Sequence, residues 1–360
     1  MSEADVMIVG AGPAGAATAI NLAPFQRVVL IERRAAAVPR VGESLVPAAR
    51  RLFADMGLLE RFLQEQHEPW YCNRSVWGSA EPEEKDFLRD PDGPGWHLDR
   101  RRFESWLRSI AIERGAELLS PATLDHLERR DRKWFVRLKT DEASVELTTR
   151  FIIDAGGQSA PVARKLGLRP TVHQSLVCCW MYGRDHAAGA RGLTYVEAVK
   201  EGWFYTAPVP DGRRIVAFHT DADLPLARAI SKPNGLIEWL EEAKGLASLL
   251  AGAGFVPDGE SHVTSVRSAA LEPAAGEGWL AVGDAAMSFD PLSSQGLFNA
   301  LFTGLAAAEA ADSYLRGDRH SLMQYESMLR SIFDAYQTRL AAVYASEKRW
   351  PEAPFWRRRN

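Results

Sequence analysis

The sequence predicts an α/β fold, a Rossmann-like parallel sheet carrying an inserted mixed β-sheet and closed by C-terminal helices, and three observations lead there. First, Asp5-Val6-Met7-Ile8-Val9 reads as a buried parallel strand, Gly10-Ala11-Gly12-Pro13-Ala14-Gly15 opens a helix over Ala16 to Ala23, and Val28-Val29-Leu30-Ile31 ends on Glu32. Second, from Thr171 to Arg267 the texture changes to alternating β-type segments with turns. Third, the apolar run Trp279-Leu280-Ala281-Val282 returns to the first pattern, meets Gly283-Asp284, and is followed by long helices.

Each part of the opening stretch has a physical task. Gly10 allows the tight turn, Gly12 lets the backbone approach a pyrophosphate, and Gly15 lets helix and strand pack closely. Phosphates then sit on unpaired N–H groups at the helix start around Pro13 and Ala14, and Glu32 can accept both hydroxyls of an adenosine ribose. Strand, glycines, helix, second strand and terminal acid in this order make a dinucleotide site.

With 360 residues, 46 % of them hydrophobic, the chain has ample core for a globular protein of about two domains. A net charge of −4 and a pI near 6.1 supply no field that recruits nucleic acid or an anionic membrane, and no apolar stretch is long enough to span a bilayer. Cys72, Cys178 and Cys179 are odd in number and partly adjacent, which suits reduced thiols in a cytoplasmic enzyme. No signal peptide is read at the start. No Cys or His pair has metal-site spacing, and no G-x-S-x-G nucleophile motif occurs.

After Glu32, an extended basic loop from Arg33 to Val46 holds Arg40 and Gly42-Glu43-Ser44. Pro47 to Leu63 has helical spacing, Trp70 to Trp77 reads as a strand, and Glu81 to Gly95 as a solvent loop. An amphipathic helix is expected over Arg100 to Arg114, then strands at Ala116 to Leu127, Trp134 to Thr140, Ser144 to Leu147 and Phe151 to Gly157. Within the inserted unit, strands are expected at Leu176 to Tyr182, Gly202 to Val209 and Arg214 to His219, with a helix near Leu236 to Leu250. Helices at Ser294 to Arg316 and Ser321 to Ser346 close the fold, and the aromatic tail Trp350 to Trp356 packs back on it. The expected division is a discontinuous dinucleotide domain of 1–70, 98–170 and 271–320, a substrate domain of 71–97 and 171–270, and a C-terminal helix and tail of 321–360.

The late segment Gly283-Asp284-Ala285-Ala286-Met287-Ser288-Phe289-Asp290-Pro291-Leu292-Ser293-Ser294-Gln295-Gly296-Leu297 is too specific for a generic strand-to-helix turn. Together with VGESLVP at 41–47, DRRRFESWL at 99–107 and IIDAGGQSAPVARKLG at 152–167, it makes the chain resemble the flavin-dependent monooxygenases and halogenases of the glutathione-reductase-like FAD fold, a group that includes geranylgeranyl reductases. The resemblance is weakest over 170–270. It implies an FAD-binding domain of the glutathione-reductase type in which Glu32 holds the adenosine ribose and Arg100 reaches the diphosphate or ribityl chain. Gly283 and Asp284 would meet the ribityl hydroxyls, and the backbone around Pro291, Gln295, Gly296 and Leu297 would face the flavin pyrimidine edge. Arg33 and Arg40 would line the cofactor, Glu43 and Ser44 would lie beside the isoalloxazine, and Asp154 would support the pyrophosphate turn. Read without the resemblance, Asp284 is an N-cap and Arg100 an exposed arginine.

Flavin halogenases carry a W-x-W-x-I-P segment and a catalytic lysine. The counterpart here is Trp203-Phe204-Tyr205-Thr206-Ala207-Pro208, and no lysine lies between Arg33 and Lys85. The expected activity is therefore aromatic hydroxylation through a flavin C4a-hydroperoxide, with dioxygen as co-substrate and reduction by NAD(P)H or a separate flavin reductase. His97, Trp203 and Tyr205 are the catalytic candidates, with Trp77 and His219 as further pocket-lining residues. The segments VGESLVPAARRLFADMGLLERF, NRSVWGS, GWHLDRRRF and FDPLSSQGLFNALFTG resemble the subgroup that accompanies oxidases with a tryptophylquinone cofactor, which implies a tryptophan side chain of a precursor protein as substrate. A halogenase, an isoprenoid double-bond reductase and a non-catalytic flavin-bound maturation chaperone are the alternatives.

Overall fold

The computed structural model describes residues 2–38, 40–87, 89–187, 191–232 and 234–359. The strands Ser2–Val9, Val28–Ile31, Glu117–Leu119, Ser144–Asp154 and Trp279–Ala281 form the parallel part of an 8-stranded sheet. Val9 pairs with both Ile31 and Asp154, so the first strand of the chain lies inside the sheet. Its residues Val6 to Ile8 are wholly buried, as continuous apolar runs are when both faces are covered. The hairpin Ala122–Arg130 and Lys133–Thr140 extends the sheet antiparallel to Ser144–Asp154.

The helices Pro13–Leu22 and Gly296–Leu315 cross in close contact because both carry small residues there. A Cβ on Gly304 would lie 2.7 Å from Ala14 O and 2.8 Å from the Ala17 Cβ. Thr18 Oγ1 donates to Gly304 O at 3.1 Å across the same contact.

The 9-stranded sheet runs from Met287–Ser288 through His262–Ala270, Thr171–Arg184, Arg213–Asp221, Gly202–Val209, Leu193–Val199 and Cys72–Val76 to Glu83–Asp86, with Val256–Pro257 on the long strand Thr171–Arg184. Strand periodicity gives it two faces. Cys179, Met181, Phe204, Val216 and Phe218 pack under Leu236, Leu246 and Leu250 of the overlying helices, whereas Cys178, Trp180, Trp203, Ala207, Ile215 and Ala217 join the core shared with the first sheet. A 3-stranded sheet is formed by Ser44–Leu45, Gly95–His97 and Glu68–Trp70.

Several local expectations need correction: Trp70 to Trp77 is split into Glu68–Trp70 and Cys72–Val76, Ala116 to Leu127 into Glu117–Leu119 and Ala122–Arg130, and the strands expected at Ser144 to Leu147 and Phe151 to Gly157 are one, Ser144–Asp154. The span Pro47 to Leu63 is two helices, Ala49–Asp55 and Leu59–Gln64, because Gly57 turns the chain at φ +67°. The expected solvent loop at 81–95 contains the strand Glu83–Asp86, antiparallel to Cys72–Val76, although all its side chains are exposed. The helix expected near Leu236 to Leu250 is broken into Gly235–Trp239, a 3-10 turn and Lys244–Ala253.

The chain closes with the helices His320–Ser346 and Pro354–Arg357. Trp356 Nε1 donates to Val199 O at 2.9 Å, and Arg359 pairs with Asp221 at 2.6 Å, so the tail is fastened onto the second sheet. Among the described residues no helix is long and apolar enough to cross a membrane.

Candidate functional site

The glycines of the opening motif sit in different surroundings. At Gly10, φ is +111° and a Cβ would stand 2.3 Å from Ala155 O; at Gly15 a Cβ would stand 1.9 Å from Gly10 O. These positions have no room for a side chain. Around a Cβ on Gly12 or Gly296, by contrast, nothing lies within 4 Å. Both glycines stand at starts of helices, Pro13–Leu22 and Gly296–Leu315, that lack a side-chain cap, so their first N–H groups are free for a ligand. Asp154 shows the opposite arrangement: its carboxylate accepts from Gly156 N at 3.0 Å, Val162 N at 2.8 Å and Ala163 N at 2.9 Å, and thus caps the helix Pro161–Lys165. Burial pushes this carboxyl up to about 6 against those bonds.

Glu32, at the end of the second strand, is buried and accepts from Ala11 N and Arg34 N, both at 3.1 Å. Arg108 stands 3.5 Å from it and donates through Nε to Ala11 O at 2.8 Å. Arg100 donates to Glu104 at 2.7 Å and to Gly42 O at 2.7 Å, while its Nε is buried with no partner among the described residues. Arg100, Glu104 and Arg108 thus form one stripe at i, i+4, i+8 of the helix Arg100–Glu113. The sequence reading took only the first of them; the four-residue spacing was the available signal. Arg33 is exposed and Arg40 half-buried. Asp284 is exposed, and Arg100 and Arg40 are the cations near enough to favour its charged form, so these three groups share one neighbourhood. Gly283, beside it, abuts the motif helix: a Cβ there would lie 2.7 Å from that of Ala14. Pro291 opens a 3-10 turn, Gln295 precedes the long helix, and Leu297 is buried.

A second group gathers where the 42–45 loop meets the inner face of the 9-stranded sheet. Ser44 Oγ and Tyr205 Oη are 2.9 Å apart, and Tyr205 and Tyr182 approach Glu43 with their hydroxyls at 3.4 and 3.5 Å. Gly42 N donates to Glu43 at 2.8 Å. Glu43 is fully buried, and desolvation pushes it up to about 7 although Arg100, these donors and its own backbone favour the charged form. Burial raises Tyr182 and Tyr205 so far that both remain phenols. Tyr182, which the sequence reading did not select, also lies beneath Arg213, 4.5 Å from ring to guanidinium carbon.

His97 is paired in register with Ser44, and its Nε2 is 2.8 Å from Thr194 Oγ1 while the ring stacks on Trp70. Desolvation and Arg214 push it down to about 3, so the ring is neutral. Trp203 stacks on His219 with centroids 3.8 Å apart and donates to Tyr344 Oη at 3.1 Å. Trp77 bonds Val343 O at 2.9 Å. The structure therefore brings Glu43, Ser44, His97 and Tyr205 together, and ties Trp203 and Trp77 to the helix His320–Ser346 instead, with His219 stacked on Trp203. Among the described residues, no group of His, Cys, Asp and Glu could hold a metal ion.

Open space at two uncapped helix starts, a buried acid at a strand end and an unpartnered guanidinium nitrogen fit an adenine dinucleotide with a flavin. The sequence model of the FAD binding domain matches residues 3–332. LodB of Marinomonas mediterranea, assigned as an FAD-dependent oxidoreductase, is 26% identical over 100% of this chain and 98% of its own. Among solved structures, the flavin-dependent halogenase CmlS superimposes with a TM-score of 0.88 at 25% identity, over 100% of this chain and 68% of that one. The peptidyl tryptophan dihydroxylase QhpG, essential for tryptophylquinone cofactor biogenesis, does so with a TM-score of 0.72 at 25% identity, over 99% of this chain and 79% of that one. Architecture, site and similarity agree: the chain belongs to the FAD binding domain family, and it is an FAD-dependent oxidoreductase of the halogenase and monooxygenase group.

Proposed function

We propose that this protein is a cytoplasmic FAD-dependent monooxygenase that hydroxylates an electron-rich aromatic ring, the tryptophan side chain of a precursor protein on its way to a tryptophylquinone. The observation that carries the choice of hydroxylation over halogenation is the lysine inventory. Lys85, the first lysine of the chain, sits on the exposed edge strand Glu83–Asp86, and the buried seam around Glu43 is built from tyrosines and a serine. The likeness to QhpG over nearly the whole chain supports a peptidyl substrate.

In this reading residues 1–70, 98–170 and 271–320 hold FAD, and 71–97 with 171–270 face the substrate. Gly10, Gly12, Pro13, Ala14, Gly15, Glu32, Arg33 and Arg40 take the adenosine and diphosphate end, with Arg100 behind them. Gly283 and Asp284 take the ribityl chain. Pro291, Gln295, Gly296 and Leu297 present the helix end to the pyrimidine edge, where a partial positive charge favours a reduced, anionic ring. FAD, reduced by NAD(P)H or by a separate reductase, supplies the activation of dioxygen. Tyr205, Ser44 and neutral His97 shape and dry the pocket, and Trp203 braces its wall.

The test is mass spectrometry. The anaerobically reduced holoprotein is mixed with a tryptophan-bearing oxidase precursor and then given oxygen in the presence of bromide. Gain of oxygen alone on tryptophan is expected. Gain of bromine, or an unmodified precursor beside reoxidised flavin, overturns the proposal.

A further inference from the structure

A buried polar chain links the C-terminal helix to the turn that leads into Gly296, and the cofactor reading leaves it without a task. Trp203 Nε1 donates to Tyr344 Oη at 3.1 Å, Tyr344 Oη donates to Asp290 Oδ2 at 2.8 Å, and Asp290 Oδ1 accepts from Leu292 N at 2.9 Å. From the other side, Asp290 N donates to Tyr336 Oη at 2.7 Å, and Tyr336 in turn donates to Ser268 Oγ at 3.0 Å. Trp203, Tyr344 and Asp290 are each at most 2% exposed. Arg359 stands over the Tyr344 ring at 5.0 Å and pairs with Asp221, so the ring is held from behind.

The turn needs such a hold. Ser294 adopts φ +51°, a left-handed conformation that a serine does not favour, and Gln295 gives the following helix no side-chain cap. Among the described residues nothing lies within 4 Å of a Cβ on Gly296, so the helix start is open at that point. Asp290 fastens the turn, gripped through its N–H by Tyr336 and through its carboxylate by Tyr344. Tyr344 also holds Trp203, two residues from Tyr205 on the same face of the second sheet.

We infer that Tyr344 and Asp290 are positioning residues that lock the start of the helix Gly296–Leu315 to the substrate-facing strand Gly202–Val209, so that the cofactor end and the substrate wall move as one frame. The inference rests on the reading that FAD lies against this helix end. Without the Tyr344 hydroxyl the turn is freed, its partial positive charge withdraws from the flavin, and the reduced form loses stabilisation.

The experiment compares wild-type holoprotein with Tyr344→Phe, measuring the FAD dissociation constant, the flavin absorption spectrum and the reduction potential. FAD binding is expected to weaken on the order of 5-fold, as for one lost hydrogen bond, with a shifted spectrum and a more negative potential. Ser321→Ala is the control, since it removes a buried hydroxyl that donates to Ala310 O at 3.0 Å from the far end of the same helix. It is expected to lower thermal stability and leave all three flavin readouts at wild-type values. Wild-type readouts in Tyr344→Phe, or equal shifts in the control, overturn the positioning role. Should Tyr344→Phe not fold, Asp290→Asn is read against the same criteria. A wild-type protein that binds no FAD overturns the underlying reading itself, an outcome distinct from the others.

Discussion

Phe204 and Tyr205 are neighbours on one strand, yet they enter opposite environments. Phe204 packs against Phe218 with ring centroids 4.6 Å apart, in a cluster with Met181, Val216 and the leucines of the overlying helices. Tyr205 turns to the other face, where it meets Ser44 and the buried carboxyl of Glu43. One face of the sheet lowers its free energy simply by excluding water; the other encloses a desolvated acid, which costs stability. A fold retains such a cost where chemistry needs it, and this face is the one that joins the core shared with the first sheet.

The comparison can be broken by substitution. Phe204→Ala should have the largest effect, about 3–5 kcal/mol of unfolding free energy, with FAD affinity of the folded fraction unchanged. Urea unfolding and flavin titration measure the two; a loss of FAD affinity would mean that the faces are not independent. Glu43→Gln comes next. In the native protein Glu43 keeps its proton up to about 7, whereas the unfolded chain releases it near 4.5. Native protein thus binds more protons across that window, so this contribution is complete below 4.5 and is lost as pH rises through 7, about 3 kcal/mol in all. Arg100, Tyr182, Tyr205 and Cys178 face the carboxyl and remain in place. Stability of Glu43→Gln should lack this slope when unfolding is followed against pH. Tyr205→Phe removes the hydroxyl that meets Ser44 and Glu43 and should cost about 2 kcal/mol, with a lower yield of hydroxylated product per flavin reoxidised. Gly12→Ala should change stability least, within about 0.5 kcal/mol, because its Cβ meets nothing and its φ of −73° suits alanine. FAD retention should nonetheless fall, since the methyl occupies cofactor space; unchanged retention would remove Gly12 from the site.

Much of this was legible locally. The run from Asp5 to Glu32 declares strand, turn, helix and strand through short-range signals, and the helices at Gly296–Leu315 and His320–Ser346 follow from periodicity. What failed or stayed hidden depended on partners far away in sequence. Glu83–Asp86 is a strand only because Cys72–Val76 pairs with it; its own charged, exposed residues read as loop. Tyr182, Arg108 and Tyr344 carry no motif, Asp290 lies in the 283–297 segment without a sign of its partner, and their relevance arises from contacts across 54 to 141 residues of chain. The aromatic tail is expected to pack back, but its bonds to the 9-stranded sheet are not legible.

The sheet order has a consequence for synthesis. Val9 waits for Asp154, and the strand Trp279–Ala281 joins the same sheet only after nearly all of the second sheet has been made. On a ribosome adding about 5–20 residues per second, neither sheet can finish before the other has largely emerged. The two must mature as a single late event. Ser2–Val9 keeps one edge unpaired until Asp154 has emerged, and Ser144–Asp154 keeps one until Trp279–Ala281 has, so chaperone binding to these nascent strands, and premature termination near residue 270 as a route to aggregation, follow from topology.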